Sequence, residues 1–347
     1  SDGNHLEESG GDGGMMWEIA KLGDISKNIQ TGPFGSQLHQ SDYSECGIPV
    51  VMPKDLVGGK ISEESIARVD KTHVERLCRH KIEVGDILYS RRGDVGRCAH
   101  VTKKEEGWLC GTGCLRVTID SEKADSRFVF FQLQHPDTVG WVEKHAVGAT
   151  MLNLNTTILS SVPIRLPALE IQKRIADILS AYDDLIENNQ KQIKLLEEAA
   201  QRLYKEWFVD LRFPRHENTR IVDGVPEGWN WCKLEDAIQF DPKVTLTKER
   251  MKQFIPMSAL STSSMVLDES QFTETTSNSG SKFQNGDTLL ARITPCLENG
   301  KTAYVSGLKS DEGAVGSTEY IVMRAKTINA YMVYLLERTD DFRQSAI

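Results

Sequence analysis

The chain repeats itself, and the repeat restricts its folds more than any other feature. WEIAKLGDI from Trp17 returns as WNWCKLEDA from Trp229, VVMPKDL from Val50 as FIPMSAL from Phe254, and GDILYSR from Gly85 as GDTLLAR from Gly286. GRCAHV from Gly96, GTGCLRV from Gly111 and FVFFQLQHPD from Phe128 reappear as GKTAYV from Gly300, GSTEYIV from Gly316 and YMVYLLERTD from Tyr331. The order is kept, with offsets running from 201 (Gly85 to Gly286) to 212 (Trp17 to Trp229). What recurs is apolar strand positions and turn glycines, while the residues between them differ. One scaffold is therefore built twice and carries two different surfaces. A bipartite reader fits this pattern, and so does a duplicated scaffold that reads nothing.

Within the first copy, residues 48–52, 86–90, 97–101 and 114–119 are short apolar runs between turn residues and read as strands. Residues 126–134 and 138–145 carry apolar side chains at helical spacing. The expected class is α+β, with two similar mixed α/β domains separated by a long coiled-coil-type helix. The boundaries expected are a tag or disordered tail at 1–14, a first domain at 15–165, the helix at 166–212, a linker at 213–225 and an incomplete second domain at 226–347. The first copy is followed by its own tail and the long helix, whereas the second stops at Ile347. The expectation is a truncated chain whose native form continues into a second such helix.

The segment from 166 to 212 places Ile175, Ile178, Tyr182, Ile186, Asn189, Ile193, Leu196, Leu203 and Trp207 on one narrow seam. Two successive steps of four (178, 182, 186) form a stutter, which locally unwinds a left-handed supercoil, and Asn189 would fix register. About 40 helical residues make a rod of ~60 Å. A rod of that length calls for a partner along its seam, or else it is the core helix of one domain. Off the seam its charges are nearly balanced, so it faces solvent or protein and not DNA.

A net charge of −9 argues against indiscriminate coating of nucleic acid. The span from Lys71 to Lys104 runs the other way, with nine bases against four acids, which suits a phosphate patch or a mixed solvated surface. Seven scattered cysteines point to free thiols. Cys110 and Cys114 lack a second ligand pair, so no metal site is expected. Gly300, Lys301 and Thr302 imitate the end of a phosphate-binding loop, but Pro295 stands where its first glycine belongs. Neither a cofactor loop nor the Asn-Pro-Pro-aromatic tetrapeptide of adenine methyltransferases occurs, so no cofactor and no enzymatic activity are expected. No apolar run approaches the ~20 residues of a membrane span, and a soluble cytoplasmic protein is expected.

Five stretches carry a family resemblance: GPFGSQL from Gly32, GDILYSRRG from Gly85, LNLNTTILSSVPIRLPALEIQKRIADIL from Leu152, EEAAQRLYKEWFVDL from Glu197 and PEGW from Pro226. Through them the chain resembles the specificity subunits of Type I restriction-modification systems. The resemblance implies two target-recognition domains, each reading one half of a split site in double-stranded DNA, on long antiparallel helices that set the spacing. It implies methyltransferase subunits and an endonuclease/translocase subunit as partners, with no catalytic site in the chain itself. The missing second helix leaves the internal helix pair in doubt and admits a homodimer through the spacer helix. A protein-binding assembly scaffold is the rival reading.

For contact with DNA the candidates are side chains that donate or accept in pairs. In the first copy these are Ser36, Gln37, Lys54, Arg91, Arg92 and Thr112, with Arg97 in the basic span. In the second they are Ser258, Arg292, Lys301, Ser317 and Thr318. Arg91 is matched by Arg292, and a residue shared by both copies suits phosphate better than bases. Arg92 is matched by Ile293 and is the better candidate for base reading. Each of these also reads as an ordinary solvated side chain.

Overall fold

The computed structural model describes residues 17–34, 37–148 and 152–346. It divides into two compact units, residues 1–185 and 186–347. In the first, Ser26–Thr31, Cys114–Ile119, Ile87–Ser90 and Cys98–His100 form an antiparallel sheet in that order. A second, mixed sheet runs Leu109–Cys110, Ile48–Val51, Ala67–Val69, Tyr43–Ser44, with its first pair parallel. One face of the antiparallel sheet packs Ile87, Tyr89, Leu115 and Val117 against Val129 and Leu133 of the helix Ser126–Gln134. The other face packs Leu88, Ala99 and Cys114 with Val51 and Cys110 of the mixed sheet. Each such aliphatic side chain removed from water contributes about 1.5–3 kcal/mol.

The second unit repeats this plan. Ile238–Phe240, Tyr320–Ala325, Thr288–Ala291 and Thr302–Tyr304 form the antiparallel sheet, and Lys252–Ile255 runs parallel to Ala314–Gly316 in the mixed one. The edges differ. Ser281–Phe283 is a full strand beside Ala314–Gly316, whereas in the first unit that contact shrinks to the single bridge between Lys81 and Leu109. The helix and 3-10 turn at Lys71–Arg76 and Cys78–His80 take up the chain that would extend it.

The Gly-Asp pair common to both copies has a local cause. Gly85 and Gly286 sit at φ of 91° and 94°, a region that favours glycine. The aspartate that follows closes the same turn, Asp86 accepting from the Glu83 N–H and Asp287 from the Gln284 N–H. At one place the register differs from the sequence match. Val51 pairs with Cys110 and Ile255 with Gly316, so Cys110 and Gly316 are equivalent, one residue away from aligning GTGCLRV with GSTEYIV. The reason is the two-residue period of a strand: only this register puts Leu115 and Ile321 on the helix side and Cys114 and Tyr320 on the other.

The long helix spans Leu169–Tyr204 and closes with a π turn at Lys205–Val209. Ile178, Tyr182, Ile186, Ile193, Leu196 and Leu203 are exposed, as is Asn189, while Ile175 and Trp207 are half-buried. Trp207 lies inside the π turn, where i+5 bonding rotates side chains off the α-helical register. Beyond it, residues 213–229 fold back on themselves. Asp223 and Gly224 at positive φ turn a short hairpin, and Trp229 stacks on Phe208 and Phe213 at 5.7 and 5.3 Å. Among the described residues no helix is long and apolar enough to cross a membrane.

Candidate nucleic-acid interface

At one end of the first unit's sheets, three loops meet through main-chain bonds. The Gly32 N–H donates to the Cys114 carbonyl (2.9 Å), the Gly111 N–H to Val51 (2.9 Å) and the Arg91 N–H to Gly113 (2.8 Å). The approach is so close that a Cβ on Gly32 would lie 2.0 Å from the Gly111 carbonyl oxygen. Thr112, exposed at the apex, donates its hydroxyl to the Pro33 carbonyl (2.8 Å). Gln37 accepts from the Phe34 N–H through Oε1 (3.3 Å), which shapes its own loop. Ser36 lies outside the described residues.

Arg91 and Arg92 follow the strand Ile87–Ser90 into this rim. Residues 152–154 line up beside them, with the Leu154 N–H donating to Arg91 (2.8 Å), the Gly93 N–H to Leu152 (3.1 Å) and Arg92 bridged to Asn153. Arg91 Nε and Asn153 Oδ1 are both buried and without a hydrogen-bond partner. The Arg92 side chain is exposed and, among the described residues, has neither a hydrogen-bond nor an ion-pair partner. Lys54 is exposed but spends its ammonium on Ser65, at 2.7 Å to the carbonyl and 3.1 Å to the hydroxyl. Arg97 pairs with Asp94 at 2.6 Å.

Part of the wider basic span is neutralised by ion pairs. Arg76 reaches Asp42 (3.4 Å), Lys104 reaches Glu63 (2.7 Å) and Lys103 pairs with Glu106. Asp42 and Glu63 lie outside residues 71–104 in sequence and fold onto them, which counting charges within the span could not show. At its centre His80 is buried and accepts from Arg79 Nε (3.0 Å), while Gln30 of the first strand donates to the Arg79 carbonyl (2.7 Å). Burial, helped by the charges of Arg79 and Arg116, lowers the His80 pKa to about 4, so this imidazole is neutral. Cys110 and Cys114 are buried between the sheets, and burial pushes the Cys110 thiol up to about 12.

The second unit has the same rim with other occupants. The Arg292 N–H donates to the Glu319 carbonyl (2.9 Å), the counterpart of the bond from Arg91 to Gly113. Its guanidinium folds back onto the Thr318 carbonyl (2.9 Å) and the Glu319 carboxylate (3.4 Å). Thr318 occupies the place of Thr112 and is exposed, with Ser317 half-buried beside it. Both line an open groove of about 480 Å³ together with Thr275, Ser277, Ser279 and Met257. Lys301 is half-buried and donates to the Met257 carbonyl (3.0 Å), holding the turn that exposes Ser258. The rim thus brings together Arg91, Arg92 and Thr112 in one unit and Arg292, Ser317 and Thr318 in the other. Asn153 was not among the residues singled out by type, and its only signal was its place in the LNLN stretch.

The family model for the Type I restriction modification DNA specificity domain matches residues 15–198. Over 231 residues the chain is 28% identical to the putative type I restriction enzyme MjaX specificity subunit of Methanocaldococcus jannaschii, covering 65% of this chain and 53% of that protein. It is 34% identical over 126 residues to the type I restriction enzyme EcoAI specificity subunit of Escherichia coli, covering 35% and 21%. The chain spans about half the length of the first of these relatives. In fold it is similar to the crystal structure of a Type-I restriction-modification system S subunit from M. genitalium, with a TM-score of 0.54, 15% identity, and coverage of 96% of this chain and 80% of that one.

Proposed function

The chain belongs to the Type I restriction modification DNA specificity domain family, and on that premise we propose that it reads double-stranded DNA as a non-catalytic specificity subunit, each unit reading one half of a two-part site. The observation that carries the reading is the doubled rim. Arg91 and Arg292 are anchored by equivalent main-chain bonds, while the next residue is Arg92 in one unit and Ile293 in the other. A shared cation suits the phosphate backbone, and a difference in the adjoining side chain suits different bases. The domains run over residues 15–165 and 226–347, and the long helix sets the spacing between the two half-sites.

The exposed stripe of Ile178, Tyr182, Ile186, Ile193, Leu196 and Leu203 supports a protein partner along that helix. We assign the place to methyltransferase subunits, with an endonuclease/translocase subunit joining the assembly in the cytoplasm. A second copy of the helix is the other occupant that the stripe admits. Methyl transfer and cleavage belong to those partners, and the chain needs no cofactor of its own.

Exchanging residues 15–165 for the same region of a relative with a different target should change one half of the methylated site and leave the other unchanged. A change in both halves, or in neither, would overturn the two-reader scheme. The exposed stripe also favours a second reading, a protein-binding assembly scaffold without DNA readout. Salt titration of duplex binding, with and without the methyltransferase partner, separates the two. Phosphate contacts give a steep negative slope of log affinity against log salt, and a scaffold gives none.

A further inference from the structure

The long helix is held at each end by a side-chain oxygen that captures a backbone N–H. In the first unit the captor is Gln172, which is buried. Its Oε1 accepts from the Asp125 N–H (3.0 Å) while its Nε2 donates to the Pro167 carbonyl (2.8 Å). Ala176, one turn on, is fully buried, and Asp177 pairs with Arg127 at 2.8 Å. In the second unit the captor is Glu197. One of its carboxylate oxygens accepts from the Met265 N–H (2.8 Å) and from the Ser264 hydroxyl (3.2 Å).

The loop that Glu197 grips is held from its other side as well. Arg338, on the helix Ala330–Glu337 at its C-cap, donates to the Thr262 carbonyl (2.8 Å) and to the Gly300 carbonyl (3.0 Å). Residues 261–265 are therefore clamped between an acceptor on the long helix and a donor on the domain. The burial pattern along the helix agrees. Residues 188–196 are exposed, and half-burial resumes at Glu197 and Glu198 and recurs at Gln201 and Tyr204, along one face at helical spacing. None of residues 261–265 belongs to the candidate rim, so this contact carries the unit and does not read DNA.

We propose that Glu197 is a positioning residue that seats the second unit on the long helix and so determines which separations between half-sites are accepted. Gln172 is its counterpart in the first unit. The inference rests on the two-part reading proposed above. Hydrogen bonds to a carboxylate are the stronger kind, and two of them converge here on one oxygen, so truncating the side chain releases the loop while leaving the apolar core untouched. Glutamine at this position keeps an acceptor oxygen at similar reach and loses only the charge.

Two measurements test this. In the chain alone, Glu197→Ala should raise hydrogen exchange at the Met265 amide about tenfold or more, and Glu197→Gln should keep most of the protection. Unchanged exchange at Met265 in Glu197→Ala overturns the seat, whatever the chain does with DNA. In the complex assembled with methyltransferase subunits, sequencing of methylated sites should show Glu197→Ala accepting separations one base pair shorter or longer than wild type, with the half-site sequences unaltered and Glu197→Gln like wild type. An unchanged separation profile, altered half-site bases, or Glu197→Gln behaving like Glu197→Ala overturns the inference. If the wild-type complex methylates no two-part site, the parent reading fails instead, and the exchange result shows separately whether the seat exists.

Discussion

Arg91 and Arg292 stand at the same point of the same scaffold and meet different surroundings. Both give their main-chain N–H to the turn after the neighbouring strand segment, but Arg91 buries an unpartnered Nε beside Asn153, whereas Arg292 folds its guanidinium onto Thr318 and Glu319. The buried aspartates behind them diverge in the same way. Asp86 takes the hydroxyl of Thr118 (2.5 Å), with Arg116 Nε at 3.8 Å, while Asp287 takes the two-pronged guanidinium of Arg324 (2.6 and 2.7 Å). Main-chain geometry is common to the two units, and side-chain partnership is particular to each.

The largest test of that difference is stability. Asp287→Ala takes the two-pronged partner from the half-buried Arg324 guanidinium and the acceptor from the Gln284 N–H, and should cost the second unit about 3–5 kcal/mol. Asp86→Ala removes a hydroxyl partner and a turn acceptor and should cost the first unit less, about 1–3 kcal/mol. Denaturant unfolding of each variant checks the order, and equal losses would show that the two aspartates carry the same load.

The units should also respond to pH in opposite senses. Glu337 is fully buried, and burial raises its pKa to about 8, opposed by the Thr302 hydroxyl and by the charges of Arg343 and Arg338. The geometry agrees with a neutral acid. Thr302 has a single hydroxyl proton and two oxygens in reach, the Leu289 carbonyl at 2.8 Å and Glu337 Oε2 at 2.5 Å, so a protonated Glu337 satisfies both contacts. An acid whose folded pKa is raised favours the fold at low pH, and that stability is lost as pH rises from about 4.5 towards about 8. Counted from the helix N-caps Asp125 and Asn329, buried Leu133 holds the matching place in the first unit and does not titrate. There His80, with its pKa lowered to about 4, gives stability that is present above 6.5 and lost as pH falls towards 4. Thermal unfolding should show the second unit weakening on the alkaline side by several degrees in Tm and the first on the acid side. Glu337→Gln should abolish the alkaline slope.

The smallest effect concerns reading. Arg92→Ala should lose ~1–3 kcal/mol of discrimination at one base pair, and Arg292→Ala should weaken binding to all sequences alike. Competition binding against single-base variants of the target decides both. A uniform loss for Arg92→Ala would make it a backbone contact and erase the contrast with Ile293.

The doubled sheets and the long helix were legible because strand glycines, apolar alternation and helical spacing are local signals. The one-residue slip at Cys110 and Gly316 was not, because GTG and GST look alike as strings and only the pairing with Val51 and Ile255 tells them apart. The π turn at Lys205–Val209 also escaped, since the stack of Trp229 on Phe208 forms across a fold-back that periodicity cannot see. At the rim, residue type picked out arginines and hydroxyls. It could not foresee that Lys54 and Lys301 would be drawn onto carbonyls at 2.7 and 3.0 Å, because those partners come from distant loops.

The close approach of Gly32 to Gly111 bears on how such a chain changes over generations. Where loops are joined backbone to backbone, substitutions at exposed neighbours such as Arg92 and Thr318 leave the joints intact, so new surfaces lie within a few mutational steps of the old. A substitution at Gly32 has no such latitude, because any side chain there meets a carbonyl oxygen at 2.0 Å. Variation is thereby channelled: the geometry leaves room for it at the exposed rim and none at the joints that hold the loops together.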